Sequence, residues 1–427
     1  MALTGGIGNV LGAGKIGKIG IQTEVRIRKG RLLTPVGEHN LLQYNGLTNN
    51  RILYDQYEIP GVYVFIPKFN WDPENGFNSS EVHPAFIWDG VEHDGFWVSK
   101  YQNTAVKIID GSIKETPTAS WDITGYIAAS IPFVDPITYV SLDDAKQLCW
   151  NKNSSDMIAT GNCFHLMTNA ERAAIALWTY QMVQDGILQH MPYGNNNYCR
   201  DVNAKGIVGI PLNPALTIGS NGGTYGPPYY GRWRTGSGGP KTAHNLDLSG
   251  VFDLNGNVWE WIDGARLVDG EIQIIENNDA ALGRDTWAAI DQGGNLVTPG
   301  STGTLKYDIT GADDGVEHDV GEVSIDISIS NYVSISFAHS AFKDMQYGIA
   351  SVPSLVRKLA LVPLLASDQD GCMFVRNSGV RVVSYGGHFY NGLVAGLHAL
   401  HLLADFTTIS LSIGFRSCYI GDISAVT

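Results

Sequence analysis

The stretch GVFDLNGNVWEW, residues 250–261, decides how this chain is read. Asn255-Gly256-Asn257 is a run of residues that tolerate positive φ, so a tight turn is expected there. Trp259 and Trp261 follow as large aromatic anchors. Asp253 and Glu260 place a carboxylate on either side of the turn. The plainest role for both is to accept backbone hydrogen bonds within it.

Working outward, two helix starts are well signalled. Ser141-Leu-Asp-Asp144 and Thr168-Asn-Ala-Glu171 both fit the capping-box pattern. Behind the second, Ala174, Ile175, Leu177, Trp178 and Met182 give an apolar face at helical spacing. Few other segments read as helix. Val62-Tyr-Val-Phe-Ile-Pro67 reads as a buried strand. Residues 185–250 read as loops rich in Gly, Asn, Pro and Tyr. From about 265 to 375 the texture is β-leaning. Asp269-Gly270 between two apolar runs predicts a hairpin. Val323, Ile325, Ile327 and Ile329 alternate with polar residues as a half-buried strand. The acidic residues Asp308, Asp313, Asp314, Glu317 and Asp319 lack the fixed spacing of a calcium loop and read as solvated.

Residues 1–58 read as a separate, β-rich attachment or oligomerisation segment. Within it Lys15, Lys18, Arg26, Arg28, Lys29 and Arg31 face a single acid, Glu24, on a pattern that suits a solvated strand surface. The whole chain has 427 residues, a net charge of −14, 16% charged residues and 50 glycines. That balance argues against a nucleic-acid partner, which needs a basic footprint. No apolar run approaches the ~20 residues of a membrane helix, so no membrane insertion is expected. The first residues lack a basic stretch followed by an apolar core, so no signal peptide is expected. The cysteines Cys149, Cys163, Cys199, Cys372 and Cys418 are scattered singly, which fits reduced thiols better than a disulfide framework or zinc.

The 250–261 stretch resembles the signature of the formylglycine-generating-enzyme family, a branch of the C-type lectin fold. Other landmarks agree in order. Val64-Phe-Ile-Pro67 looks like the opening strand, and His83-Pro84 through Trp97-Val-Ser-Lys-Tyr-Gln-Asn-Thr104 resembles the next. Phe164-His-Leu-Met-Thr-Asn-Ala-Glu-Arg172 is similar to the start of the second helix, and Gly414-Phe415-Arg416 matches the closing strand. The resemblance implies an α+β, loop-rich C-type lectin domain over residues 59–427, with a long insertion at about 265–375. It also implies a possible calcium site formed by the Asp253 side chain, the Gly256 and Val258 carbonyls and the Glu260 carboxylate. Hard oxygen ligands suit calcium. The family's oxidase holds copper with two cysteines after a Gly-Gly pair. Here the pair is Gly386-Gly387, and the matching positions are Asn391 and Gly396. Copper(I) needs soft thiolates, so neither copper nor oxidase chemistry is expected, and the chain reads as a non-enzyme.

Residues 381–416 carry the frame GG…NG…AG..AL.L…..IGFR. That frame looks like the variable region of proteins diversified by retroelements, best known from phage tail receptor-binding proteins. In such systems randomised codons never give Lys, Gln, Glu, Met or Trp. Residues 388–413 contain none of these. At the chain's charged fraction about four charged residues would be expected there, and only Asp405 is present.

Read alone, Leu393–Leu403 would be an apolar core helix, and the flanking frame reverses that reading to an irregular, outward-facing segment. The expected ligand-contacting positions are His388, Phe389, Tyr390, Leu393, Val394, His398, His401, Leu403, Ala404, Phe406, Thr408, Ser410 and Ser412, with Phe389, Tyr390 and Phe406 pointing outward. His398 and His401, spaced i and i+3, fit satisfied or exposed imidazoles better than a metal pair. The resemblance implies a homotrimeric tail protein on a phage virion, contacting other tail proteins and binding a bacterial surface glycan or protein.

Overall fold

The computed structural model describes residues 47–114, 117–196, 209–210, 231–310, 321–330, 332, 337–364 and 369–427. Within them the chain is α+β: many short strands and few helices. Both signalled helices form, over Leu142–Trp150 and Asn169–Gln184, and in both the capping box closes in each direction. The second is buried along most of its length, so it runs through the interior rather than along a surface.

Two sheets organise the body. One is antiparallel, with strands in the order Asn50–Tyr54, Pro60–Pro67, Gly95–Ser99, Ser417–Ile420 and Cys163–Leu166. The last long strand of the chain thus lies between two earlier ones and closes the fold. The boundary expected at residue 58 falls inside this sheet. Asn50–Tyr54 pairs in full register with Pro60–Pro67, and Tyr54 N donates to the Val426 carbonyl. Ile52 and Tyr54 are buried with Val62 and Tyr101 in one core. Five residues beside a proline give too short a pattern to show as a strand in sequence. The basic positions from Lys15 to Arg31 lie outside the described residues, as do Cys199, Asp313, Asp314, Glu317 and Asp319.

The second sheet is larger. Its central strand, Trp259–Val268, turns at Asp269-Gly270 into Glu271–Ile275, with both turn residues at positive φ as the hairpin reading requires. On one side Glu271–Ile275, Lys306–Thr310 and Glu322–Asp326 continue the sheet. Val323 and Ile325 are buried as expected, but the strand ends at Asp326 and Ile327 is exposed. On the other side lie Val380–Tyr385, Leu400–Leu402, Cys372–Val375 and Ala338–Ala341. The stretch expected as an insertion therefore supplies strands to both flanks of the central strand. The largest core packs Ile262, Leu267, Ile272, Tyr307 and Val383 against Ala170, Ala174 and Ile175 of the long helix.

Candidate ligand-binding surface

The turn at 253–261 is held from inside. Gly256 and Asn257 have positive φ, and so does Asp253. At Gly256 a Cβ would come within 2.2 Å of the Asn195 carbonyl, so only glycine fits this approach. Gln102 fills the centre. Its Nε2 lies 3.1 Å from the Asp253 carbonyl, 3.4 Å from the Gly256 carbonyl, 3.0 Å from the Val258 carbonyl and 3.0 Å from Glu260 Oε1. Its Oε1 accepts from Asn257 Nδ2 at 2.9 Å, which fixes the orientation of the amide.

Glu260 is paired a second time. Arg416 Nε donates to its Oε2 at 3.1 Å and Nη2 to its Oε1 at 2.8 Å. The same guanidinium reaches the Ser99 and Phe252 carbonyls.

This geometry bears on the calcium expectation. The Gly256 and Val258 carbonyls and the Glu260 carboxylate do converge on one point. The Asp253 carboxylate is engaged elsewhere through its Oδ2, which accepts the Gly236 N–H at 2.6 Å, while its Oδ1 is buried without a hydrogen bond and the oxygen that meets Gln102 is the main-chain carbonyl. Burial pushes the Asp253 carboxyl up to about 6, against the pull of the Gly236 N–H. The meeting point is filled by an amide nitrogen, and the single carboxylate there is already neutralised by Arg416. A divalent cation at that point would face a guanidinium across the carboxylate they share. The residues present fit an internal amide plug rather than a calcium ion.

The segment 388–413 is irregular, as the flanking frame implied. It holds a short 3-10 turn at Gly392–Val394 and the strand Leu400–Leu402, and at Ile413 it enters the strand Ile413–Phe415. Its course is set by groups outside it. Arg172 Nη2, from the long helix, donates to the Leu254 and Leu397 carbonyls and so ties the segment to the turn. Asp370 accepts from the Leu397 and His398 N–H groups and bonds His398 Nδ1 at 3.1 Å. Asn391 Oδ1 accepts the His388 N–H at 2.7 Å. At Gly387, φ is +86° and a Cβ would lie 2.5 Å from Ala395 Cβ, which accounts for the second glycine of the pair.

The thirteen expected contact positions divide into three groups. Tyr390 and Leu393 are exposed, at 50% and 70%. Val394, His401, Leu403, Phe406, Thr408 and Ser410 are half-buried. His388, Phe389, His398, Ala404 and Ser412 are buried. Phe389 therefore does not point outward: its N–H donates to the Asn257 carbonyl and its ring packs between His388 and Tyr390. His398 is wholly buried, with its ring against Tyr180 and Phe342 and its Nδ1 on Asp370. It is a core residue, and only the partner Asp370, far off in sequence, distinguishes it from a surface position.

His388 and His401 gather round Trp259. Ring centroids lie 5.2 Å from it for His401 and 6.3 Å for His388. Burial pushes the His388 imidazole down to about 3 and His401 down to about 4, with Arg376 adding to the latter. Both are neutral at pH 7.

The sequence reading missed the rings contributed by the insertion. Phe374 stands 6.0 Å from Trp259 and 6.2 Å from His401, and His339 stacks on Phe374 at 5.5 Å and 18°. Only the strand register, which no local pattern reports, brings them there.

At the positions where the resembled oxidase has cysteines, Asn391 is engaged with the His388 N–H and Gly396 packs against Asp370. Among the described residues one group could hold a metal: His165, Glu171 and Cys418, all buried. Its carboxylate is already committed. Glu171 Oε1 meets His165 Nε2 at 2.8 Å and Asn278 Nδ2 at 3.0 Å, and Oε2 accepts the Thr168 N–H of the capping box. It reads as a helix-start network.

No protein-family model matches the chain, and no curated protein does. Among solved structures it is similar to PvdO from Pseudomonas aeruginosa, with 12% identity over 86% of this chain and 97% of that one, at a TM-score of 0.29. A likeness of that size carries no argument about fold or activity.

Proposed function

We propose that this chain is a receptor-binding protein of a phage or prophage tail. In this reading it has a C-type lectin fold of the formylglycine-generating-enzyme type. It carries a retroelement-diversified surface that binds a bacterial surface glycan or protein, and it is no oxidase. It acts as a homotrimer on the virion, with the segment preceding residue 47 as the arm that meets other tail proteins. The observation that carries the reading is the division of labour in residues 386–416. Frame residues such as Gly387, Asn391 and Arg416 fix the course of the backbone, while Tyr390 and Leu393 are exposed and Phe406 is half-buried. A scaffold of that kind tolerates substitution where ligands touch. Aromatic side chains at such positions give large contact area for little rotamer entropy, as in antibody paratopes. Copies in a trimer turn weak single sites into useful avidity.

The test is a library randomised at the exposed Tyr390 and Leu393 alone and selected on a panel of bacterial cells. Variants should keep the parent melting temperature within about 2 °C, since surface changes are usually within ~0.5 kcal/mol, and should differ in the cells they bind. If the variants unfold, or if all bind the same cells as the parent, the assignment is wrong.

A further inference from the structure

We propose that Phe337, His339 and Phe374, supplied by the insertion, form a constant ring platform beside the variable residues, and that this platform stacks on an uncharged pyranose sugar. The inference rests on the receptor-binding reading above and names the ligand class for that surface.

The platform follows from strand register. His339 pairs with Phe374, Phe374 with variable His401, and His401 with Ser384. Residues directly opposite across a ladder share one face of the sheet. One row therefore runs from the insertion's edge strand into the variable strand without a break. Phe337 lies two residues before His339, so it returns to the same face. Its ring is 6.2 Å from Phe374. Phe337, His339, Phe374 and His401 are all half-buried residues, so the row sits at the boundary between core and surface. Phe374 and variable Phe406 lean on the same small core, which contains Trp259 and Ala404. The constant and variable rings thus share one support.

The chemistry of the row selects its ligand. The row itself contains no charged side chain, and among the described residues the charge that acts on it is the Arg376 guanidinium, which helps to keep the His401 imidazole neutral. His388 and His401 are uncharged at pH 7 because burial pushes both imidazoles down. Flat rings present an electron-rich face, and the axial C–H groups of a pyranose present a weakly positive one, so the two stack. The half-buried His339 imidazole adds a polar edge for ring hydroxyls. A row of rings also loses little rotamer entropy when it is covered.

Diversification by the proposed mechanism ends within residues 388–413, so the platform stays the same while its neighbours change. The platform then fixes the class of ligand, and Tyr390, Leu393 and His401 choose within it.

The experiment uses the full chain on an array of neutral hexose and N-acetylhexosamine oligosaccharides, with uronate and sialylated glycans and immobilised bacterial surface proteins beside them. Wild type should bind at least one neutral glycan. His339→Ala, on an edge strand, and Phe337→Ala, just before that strand, should each weaken that binding about tenfold, the scale of one ring contact, with melting temperature unchanged. Tyr390→Ser should change which neutral glycan is bound. If Tyr390→Ser alters binding while both insertion variants bind as wild type, the platform is refuted and the receptor-binding reading stands. Binding confined to acidic glycans or to proteins also overturns the platform. If neither set of variants alters any binding, both readings fail.

Discussion

Replacing Arg416 by Met tests how the turn at 253–261 is held. The guanidinium is fully buried and makes four bonds: two to Glu260, one to the Ser99 carbonyl and one to the Phe252 carbonyl. Met fills similar volume and supplies no donor. Glu260, itself buried, would keep only Gln102 Nε2, at 3.0 Å on one oxygen. Breaking a buried ion pair from one side costs about 3–5 kcal/mol, because a charge is left without a partner. The two carbonyls lose their donors as well, but these terms share one site and do not add in full. A total of about 4–6 kcal/mol is expected. Thermal unfolding followed by circular dichroism should show a fall of about 5–10 °C for a chain of this size. The double variant Arg416→Met with Glu260→Met removes the stranded charge and should recover about half of the loss. A single variant that melts within a degree of wild type would refute the account. So would a double variant no better than the single one, since the stranded charge is then not the cause.

Three further outcomes follow from the same structure. Asp253→Asn should raise stability at pH 7 by about 1–3 kcal/mol, because a buried carboxyl pushed up to about 6 pays to stay ionised; a fall, together with a calcium-dependent melting temperature in wild type, would show that a cation displaces the Gln102 amide. Acid should destabilise the fold below about pH 6.5: His83 and His244, like His388, are pushed down to about 3 by burial and His401 to about 4, so only the unfolded chain takes up their protons. Asp135 and Asp253, both pushed up to about 6, act in the opposite sense over part of that window; melting temperature against pH should still fall from pH 7 to 5, and His244→Gln should flatten the slope. Gly387→Ala should cost about 2 kcal/mol or more from its positive φ and its clash with Ala395; limited proteolysis should then cut first within residues 388–399, and cleavage elsewhere would count against a local effect.

What the sequence made legible was local, and what it hid was register. The capping boxes at Ser141 and Thr168 and the hairpin at Asp269-Gly270 form as read, because each is decided by residues at most a few positions apart. The turn glycines could be read for the same reason. Gln102 could not: it reaches the turn from 151 positions before Asp253, and a lone Gln between Tyr101 and Asn103 signals nothing. His398 was misplaced on the surface because its burial depends on Asp370, 28 positions away. Phe389 was misplaced for a related reason, since the Asn257 carbonyl that holds its N–H lies in the turn. The insertion shows the same effect at the scale of a sheet. Its alternating apolar residues declared strands but not neighbours, and a shift of one residue between Cys372–Val375 and Leu400–Leu402 would turn Phe374 away from His401. The candidate surface is therefore a product of pairing rather than of motif: residues 388–413 supply some of its rings, and Phe374 and His339 come from strands whose own sequence carries no sign of a binding role.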